Sequence, residues 1–276
     1  MSYFIRRILF KLVFLVSLGY IRLFGAGIDT ITIPSASMGK SFSALLVLPD
    51  SHRVSDKRYP VLYLLHGHSG HFTGWYEIST QLKQWADQYQ MIIVCPDGDY
   101  DSWYIDSPVQ KNRKFETFIS NELVHYIDFN YKTIDSSASR GISGVSMGGH
   151  GAMFLAFKHP DVFGVIGSSS GVLDLLPYSG FWNLQTIIGD NTKAKERLKK
   201  YSSFYLLDKI RSTTQKIWID CGTEDFLIDL SRKFHQKLLD KNIQHVYLEK
   251  PGAHTLKYWK DSYTKQILFF VKEFNR

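Results

Sequence analysis

Gly144-Val145-Ser146-Met147-Gly148 lies between a run of strand character, residues 141–145, and a run of helical character, residues 149–158, that stops before Pro160. The pattern is Gly-x-Ser-x-Gly. A serine on a tight strand-to-helix turn stands clear of a sheet, and such a turn crowds strand against helix. The positions two before and two after the serine must therefore be small. Gly149, Gly151 and Ala152 extend that small face. Backbone N–H groups at the start of the helix favour negative charge developing beside the serine. Taken alone the pattern is weak, because a glycine-rich turn with a capping serine reads the same way. Its surroundings decide.

Short apolar runs alternate with helical stretches on both sides. Strands are expected at residues 31–33, 44–48, 61–65, 91–94, 141–145, 165–168, 216–219 and 245–248. Val61-Leu62-Tyr63-Leu64-Leu65 is apolar throughout, as in a strand buried on both faces. Helices are expected at residues 81–89, 117–129, 149–158, 230–239 and 263–274. This alternation implies an α/β fold: a mainly parallel central sheet of about eight strands with helices on both faces. Residues 172–210 lack a strand and are rich in aromatics (Tyr178, Phe181, Trp182, Tyr201, Phe204, Tyr205). They read as a helical insertion over the carboxyl edge of the sheet, where open α/β sheets place their ligands. No repeat or low-complexity linker interrupts residues 29–276, which read as one domain.

A serine hydroxyl is a poor nucleophile without a base. Of ten histidines, His254 is the best placed. It lies in the loop after the last strand, which returns to the carboxyl edge. His159 and His235 sit on or beside helices, His52 is in a polar turn, and helix geometry turns His150 away from Ser146. An imidazole base needs an orienting carboxylate. After the strand at 216–219 comes Asp220-Cys221-Gly222-Thr223-Glu224-Asp225-Phe226. Asp225 is in the loop beyond the strand end, Asp220 is still near the strand, and Glu224 and Asp229 are the competitors. Ser146, Asp225, His254 is the chain order of the α/β-hydrolase triad. The oxyanion of an acyl intermediate needs two backbone donors. Met147 N–H follows the serine directly. His68 N–H comes from the loop His66-Gly67-His68-Ser69-Gly70-His71, whose glycines let the backbone fold towards the serine. The three histidines of that loop have no acid or cysteine beside them, so no metal is expected.

Composition bounds the rest. With 276 residues, 44% hydrophobic and 21% charged, the chain can bury a large core and is not intrinsically disordered. Two cysteines exclude a disulfide scaffold. In a sheet ordered as in the α/β-hydrolases, Cys95 and Cys221 would lie on strands separated by about three others, roughly 19 Å, which is beyond disulfide reach. The net charge of +7 suggests nucleic acid at first sight. However, Arg6, Arg7, Lys11 and Arg22 stand in residues 1–28 without any acid, leaving 29 basic against 26 acidic residues in the remainder. No basic stripe survives there, so no nucleic-acid partner is expected. The order of residues 1–28 is a basic start, an apolar run and then Gly25-Ala26-Gly27, as in a secretory signal. The expectation is a secreted or periplasmic protein, the alternatives being an uncut membrane-associated segment or a soluble helix.

These stretches together resemble a bacterial esterase family. It includes tributyrin-type esterases, S-formylglutathione hydrolases, feruloyl and acetyl-xylan esterases, and mycolyltransferases. The matching residues are Tyr63-Leu64-Leu65-His66-Gly67 with Trp75, Cys95-Pro96-Asp97-Gly98, Gly144-Val145-Ser146-Met147-Gly148-Gly149, Cys221-Gly222-Thr223-Glu224-Asp225-Phe226 and Gly252-Ala253-His254. The tributyrin-esterase branch is the nearest. The resemblance implies an α/β-hydrolase fold, a cofactor-free and metal-free triad of Ser146, Asp225 and His254, and oxyanion donors at His68 and Met147. Residues 97–104 resemble the family's loop near the acyl pocket, which makes Trp103 a candidate substrate contact. The alternative for Trp103 is packing under the insertion, and Trp259 is open to the same two readings.

The sequence departs from the family in two places. Thr255-Leu256-Lys257-Tyr258-Trp259 replaces a more acidic, tryptophan-rich stretch, and the loop after His66 lacks the leucine-threonine-cysteine run of the S-formylglutathione hydrolases. The second departure favours a carboxylic ester over a thioester. The expected activity is therefore a serine carboxylesterase acting on a small-molecule, short-chain acyl ester. The alternatives are a carbohydrate esterase, a thioesterase, an acyltransferase, and a hydrolase-like binding protein without catalysis. No stable protein partner is implied, and homo-oligomer formation is left open.

Overall fold

The computed structural model describes residues 27–190, 192–210 and 214–275. The proposed leader falls almost wholly outside them, although Ile28, its last residue, already belongs to the first strand. The strands are β1 Ile28–Ser35, β2 Lys40–Val47, β3 Val61–Leu65, β4 Ile92–Pro96, β5 Arg140–Gly144, β6 Val165–Ser169, β7 Lys216–Gly222 and β8 Val246–Lys250. They form one eight-stranded sheet in the order β1-β2-β4-β3-β5-β6-β7-β8. β1 and β2 make an antiparallel pair, β2 runs antiparallel to β4, and every later pairing is parallel.

The helices are α1 Gly74–Ile78, α2 Leu82–Tyr89, α3 Phe115–Thr117, α4 Val124–Asn130, α5 Met147–Lys158, α6 Leu184–Ile188, α7 Ala194–Tyr201, α8 Ser203–Leu206, α9 Ile228–Asp240 and α10 Leu256–Phe274. A π-helical turn, Phe118–Leu123, joins α3 to α4. α6, α7 and α8 lie between β6 and β7.

Side chains alternate across each strand, so the sheet feeds two cores. Tyr63, Leu65, Val94, Ile142, Ile166 and Ile219 face one way, towards Phe154 and Leu155 of α5. Leu62, Leu64, Ile93 and Trp218 face the other, towards Trp85 of α2 and Phe270 of α10. α5 is buried from Met147 to Phe157, which is why it is apolar all round rather than amphipathic. Truncating a fully buried side chain such as Leu64 to alanine removes about 2–5 kcal/mol. Cys95 on β4 and Cys221 on β7 are free and buried, with β3, β5 and β6 between their strands.

Register places the site. Leu65 is paired with Gly144, Val145 bridges Ser169, Ser169 is paired with Asp220, and Gly222 with Lys250. The carboxyl ends of β3, β5, β6, β7 and β8 therefore form one row. The loops that leave that row carry His68, Ser146, Asp225 and His254, and the loop after β4 carries Trp103.

Candidate active site

Ser146 stands between β5 and α5 with φ 55° and ψ −117°, a conformation that residues with a side chain rarely adopt. The surroundings impose it. Ser146 N–H donates to Ser169 O at 3.0 Å, Gly148 N–H to Val145 O at 2.8 Å, and His150 N–H to Ser146 O at 3.0 Å. A Cβ on Gly144 would fall 2.3 Å from the carbonyl carbon of Gly148, and one on Gly148 would fall 2.2 Å from Leu65 O. Those two glycines are what allow strand, turn and helix to cross.

His254 and Asp225 reach the serine from the loops after β8 and β7. His254 Nε2 lies 3.0 Å from Ser146 Oγ, and His254 Nδ1 lies 2.8 Å from Asp225 Oδ2. The other oxygen of Asp225 accepts Leu227 N–H at 2.9 Å. A carboxylate can only accept, so Nδ1 carries the imidazole proton and Nε2 is left to accept from the serine hydroxyl. Burial pushes the Asp225 carboxyl up. The hydrogen bond and charge of His254, with the Leu227 N–H, outweigh it and hold the group below its usual range. The rival acids are elsewhere: Glu224 and Asp229 point to solvent, and Asp220 is sealed inside the sheet.

Met147 is the first residue of α5, so its N–H has no acceptor within the helix. In the facing loop, Ser69 N–H donates to Tyr100 O and Gly70 N–H to Gly67 O, while His68 N–H has no hydrogen bond among the described residues. Both expected oxyanion donors are thus uncommitted. The histidines of that loop are separately engaged. His66 Nε2 accepts Gly98 N–H at 2.8 Å while its Nδ1 donates to Gly67 O at 2.8 Å. The ring of His68 abuts Tyr100, and that of His71 meets Thr73. Among the described residues no group of three or more metal-ligating side chains is assembled.

A cleft of about 480 Å³ opens over Ser146 and His254. Trp103, Trp182, Phe226 and Trp259 wall it, with His68, His71 and Glu77 opposite. Trp103 packs under the insertion, donating from Nε1 to Trp182 O at 3.2 Å, and also lines the cleft. Trp259 sets its ring edge to face on His254 at 4.9 Å. Two wall residues were not assigned from sequence. Phe226 lies 4.7 Å from the His254 ring although more than half exposed, and Trp182 stacks between Trp103 and Phe226. The only sequence signals were Phe226's place beside Asp225 and the aromatic richness of the insertion. The remaining candidate bases lie away from Ser146. His52 accepts Lys132 N–H, His159 sits beside Glu116, and His235 sits beside His245. His150 is buried beneath Trp103 and stacked on Phe154.

Residues 35–270 match the family model described as "Putative esterase". The chain belongs to this esterase family. Esterase Rv1288 of Mycobacterium tuberculosis is 28% identical over 258 residues, covering 81% of this chain and 54% of that protein. This chain thus spans about half the length of that relative. An acetyl esterase of Caldicellulosiruptor saccharolyticus is 25% identical over 225 residues, 75% of this chain and 81% of the other. Among solved structures, the fluorophosphonate-binding serine hydrolase FphF of Staphylococcus aureus superposes with a TM-score of 0.81 at 23% identity, covering 90% of this chain and 99% of that one. The fold of this esterase-family chain is that of the α/β-hydrolases.

Proposed function

We propose that this member of the esterase family is a serine carboxylesterase that hydrolyses short-chain acyl esters. The observation that carries the reading is the continuous hydrogen-bonded line Asp225–His254–Ser146 at 2.8 and 3.0 Å, ending in an open cleft. Ser146 Oγ attacks the ester carbonyl while His254 Nε2 takes its proton, and Asp225 holds the imidazole in the required tautomer. Met147 N–H and His68 N–H receive the oxyanion, each donor of this kind contributing about 10²–10³-fold. His254 then gives its proton to the leaving alkoxide. A water, deprotonated by His254, attacks the acyl-enzyme, and His254 returns that proton to Ser146 Oγ as the acid leaves. The acetyl esterase among the relatives supports a small acyl group.

Hydrolysis of p-nitrophenyl acetate by the chain and by its Ser146→Ala variant tests the proposal. Turnover that disappears with the hydroxyl is expected, and equal turnover in both proteins would refute Ser146 as nucleophile. Adding an alcohol acceptor separates hydrolysis from acyl transfer: product ester formed faster than free acid would favour a transferase.

A further inference from the structure

Behind the reacting side chains lies a carboxylate that the proposed chemistry does not use. Asp220, at the end of β7, is fully buried. Among the described residues no cation pairs with it, and burial pushes its carboxyl up. Five neutral polar side chains bear on it, Ser262 among them. Ser169 Oγ and Trp218 Nε1 each donate to Oδ2 at 2.7 Å, Gln266 Nε2 donates to Oδ2 at 3.3 Å, and Tyr258 OH donates to Oδ1 at 3.0 Å. A buried acid without a counter-ion is expensive, and a well-packed apolar replacement is commonly no less stable. Stability is therefore a poor reason for this arrangement, and its attachments offer a better one.

Two of the donors lead to the reacting residues. Ser169 gives its hydroxyl to Asp220, and its carbonyl receives the Ser146 N–H. Tyr258, four residues after His254, stands over the loop that carries the imidazole. A Cβ on Gly252 would fall 2.6 Å from the Tyr258 ring, and one on Gly222 3.3 Å from it. Gly252, at φ +143°, in turn accepts Glu224 N–H at 3.0 Å, so the His254 loop and the Asp225 loop are fastened to each other beneath the ring. Tyr258 is itself fixed at two ends, by its hydroxyl on Asp220 and by its N–H on the capping Thr255 Oγ1. Tyr258, Ser262 and Gln266 recur at four-residue spacing on the buried face of α10, so the helix is docked by a polar stripe with one allowed register.

We infer that Asp220 is a positioning residue for the Ser146–His254 pair, acting on His254 through the Tyr258 strut and on Ser146 through Ser169. The inference rests on the reading of that pair as catalytic. Asp220 touches no substrate and moves no proton. It holds two loops at the separation that a 3.0 Å serine–imidazole contact requires.

The test is p-nitrophenyl acetate kinetics and thermal melting of Tyr258→Phe, Asp220→Asn and the double variant, with Ser146→Ala alongside. Misplacing a catalytic group by about 1 Å costs up to about 10²-fold. Tyr258→Phe, which deletes one hydroxyl, is expected to lower kcat about 10- to 100-fold with KM within twofold. The double variant is expected to be no slower than the slower single variant, since the Tyr258 strut is one of the two routes that start at Asp220. Three results would overturn the inference: a lowered Tm with kcat within twofold of the parent, a rise in KM in place of the fall in kcat, or fully additive losses. If Asp220→Asn does not fold, Tyr258→Phe decides alone. If the parent chain has no esterase turnover, it is the esterase reading that fails. The rate of Ser146 labelling by a fluorophosphonate then carries the same comparison, with the same 10- to 100-fold drop expected and unchanged labelling overturning it.

Discussion

Replacing Asp225 by asparagine keeps the shape of the site and changes one proton. The asparagine oxygen can still accept Leu227 N–H, now at 2.9 Å from the carboxylate. Its amide group then faces His254 Nδ1, 2.8 Å away, as a donor. Nδ1 must become the acceptor, the imidazole proton moves to Nε2, and Nε2–H points at Ser146 Oγ, where it can no longer take the serine proton. A wrong tautomer of this kind costs about 10⁴-fold in kcat, or about 5.5 kcal/mol of barrier. KM should hold, because Asp225 does not line the cleft. The assay is kcat and KM for p-nitrophenyl acetate at pH 7.5, with a melting curve to show that the variant is folded. A folded variant with kcat within tenfold of the parent would refute the assignment of Asp225 as the orienting acid. The stability effect has a definite sign. The native carboxyl is held below 3.8, so its ionised form stabilises the fold above that pH, and the contribution is lost as pH falls through the native value. The asparagine variant should lack that acid-side loss.

Backbone strain at Ser146 predicts that Ser146→Gly is more stable than Ser146→Ala by about 1 kcal/mol: relief of ~1–3 kcal/mol, less ~0.4–1 kcal/mol for the freer unfolded chain. Urea denaturation of both inactive variants measures the difference, and equal stability would deny the strain. His150, fully buried, is driven by burial from 6.5 to about 3, the backbone of Val172 and Trp103 near its ring offsetting only part. Between those values the unfolded chain binds a proton that the native one refuses, so lowering pH destabilises the fold by about 1.4 kcal/mol per unit. His150→Phe should therefore gain on the parent as pH falls from 6 to 4, and parallel stability–pH curves would count against a neutral buried imidazole. Trp182→Ala should raise KM for esters with an aromatic acyl group about 3- to 10-fold while leaving p-nitrophenyl acetate kinetics nearly unchanged. Equal effects on both substrates would argue against Trp182 as a wall of the acyl site.

The serine turn was legible because its chemistry is local: two glycines at fixed offsets from Ser146 are a steric demand written in five consecutive residues. His254 and Asp225 were legible because strand ends in a parallel sheet share one edge, so position after a strand stands in for position in space. The cleft wall was legible only at Trp103 and Trp259, through the family resemblance. Trp103, Trp182 and Phe226 meet across separations of tens of residues, and nothing local specifies that meeting. The start of α10 was also missed, the periodicity suggesting residue 263 and the structure giving Leu256. Hydropathy fails there because the first two turns bury Tyr258 and Ser262 among hydrogen bonds, so the inner face does not read as apolar. Thr255, whose hydroxyl accepts Tyr258 N–H at 3.3 Å, was the available sign of the earlier start. The five-residue α1 and the π-turn at Phe118–Leu123 leave no periodic trace of their own.

Strain in the backbone is distributed as the function would require. Among the described residues ten other than glycine have positive φ. Gln90 caps the end of α2 and Asn242 follows α9, both ordinary places for that conformation. The other eight, Ser69, Asp99, Trp103, Tyr104, Ser146, Ser170, Trp182 and Asn183, all lie in loops leaving the carboxyl edge. At about 1 kcal/mol each, they cost on the order of 8 kcal/mol, comparable with the net stability of a whole domain. Such a sum persists only where the surroundings leave no alternative, and here hydrogen bonds hold the loops. Asn183 Nδ2 and Arg113 both hold Asp101, Trp103 is tied to Trp182, and Ser146 is pinned by β6. The two apolar cores on either side of the sheet provide the stabilisation that offsets this strain. In the proposed reaction the site is accordingly preorganised, with Ser146, His254 and the aromatic wall already held in place.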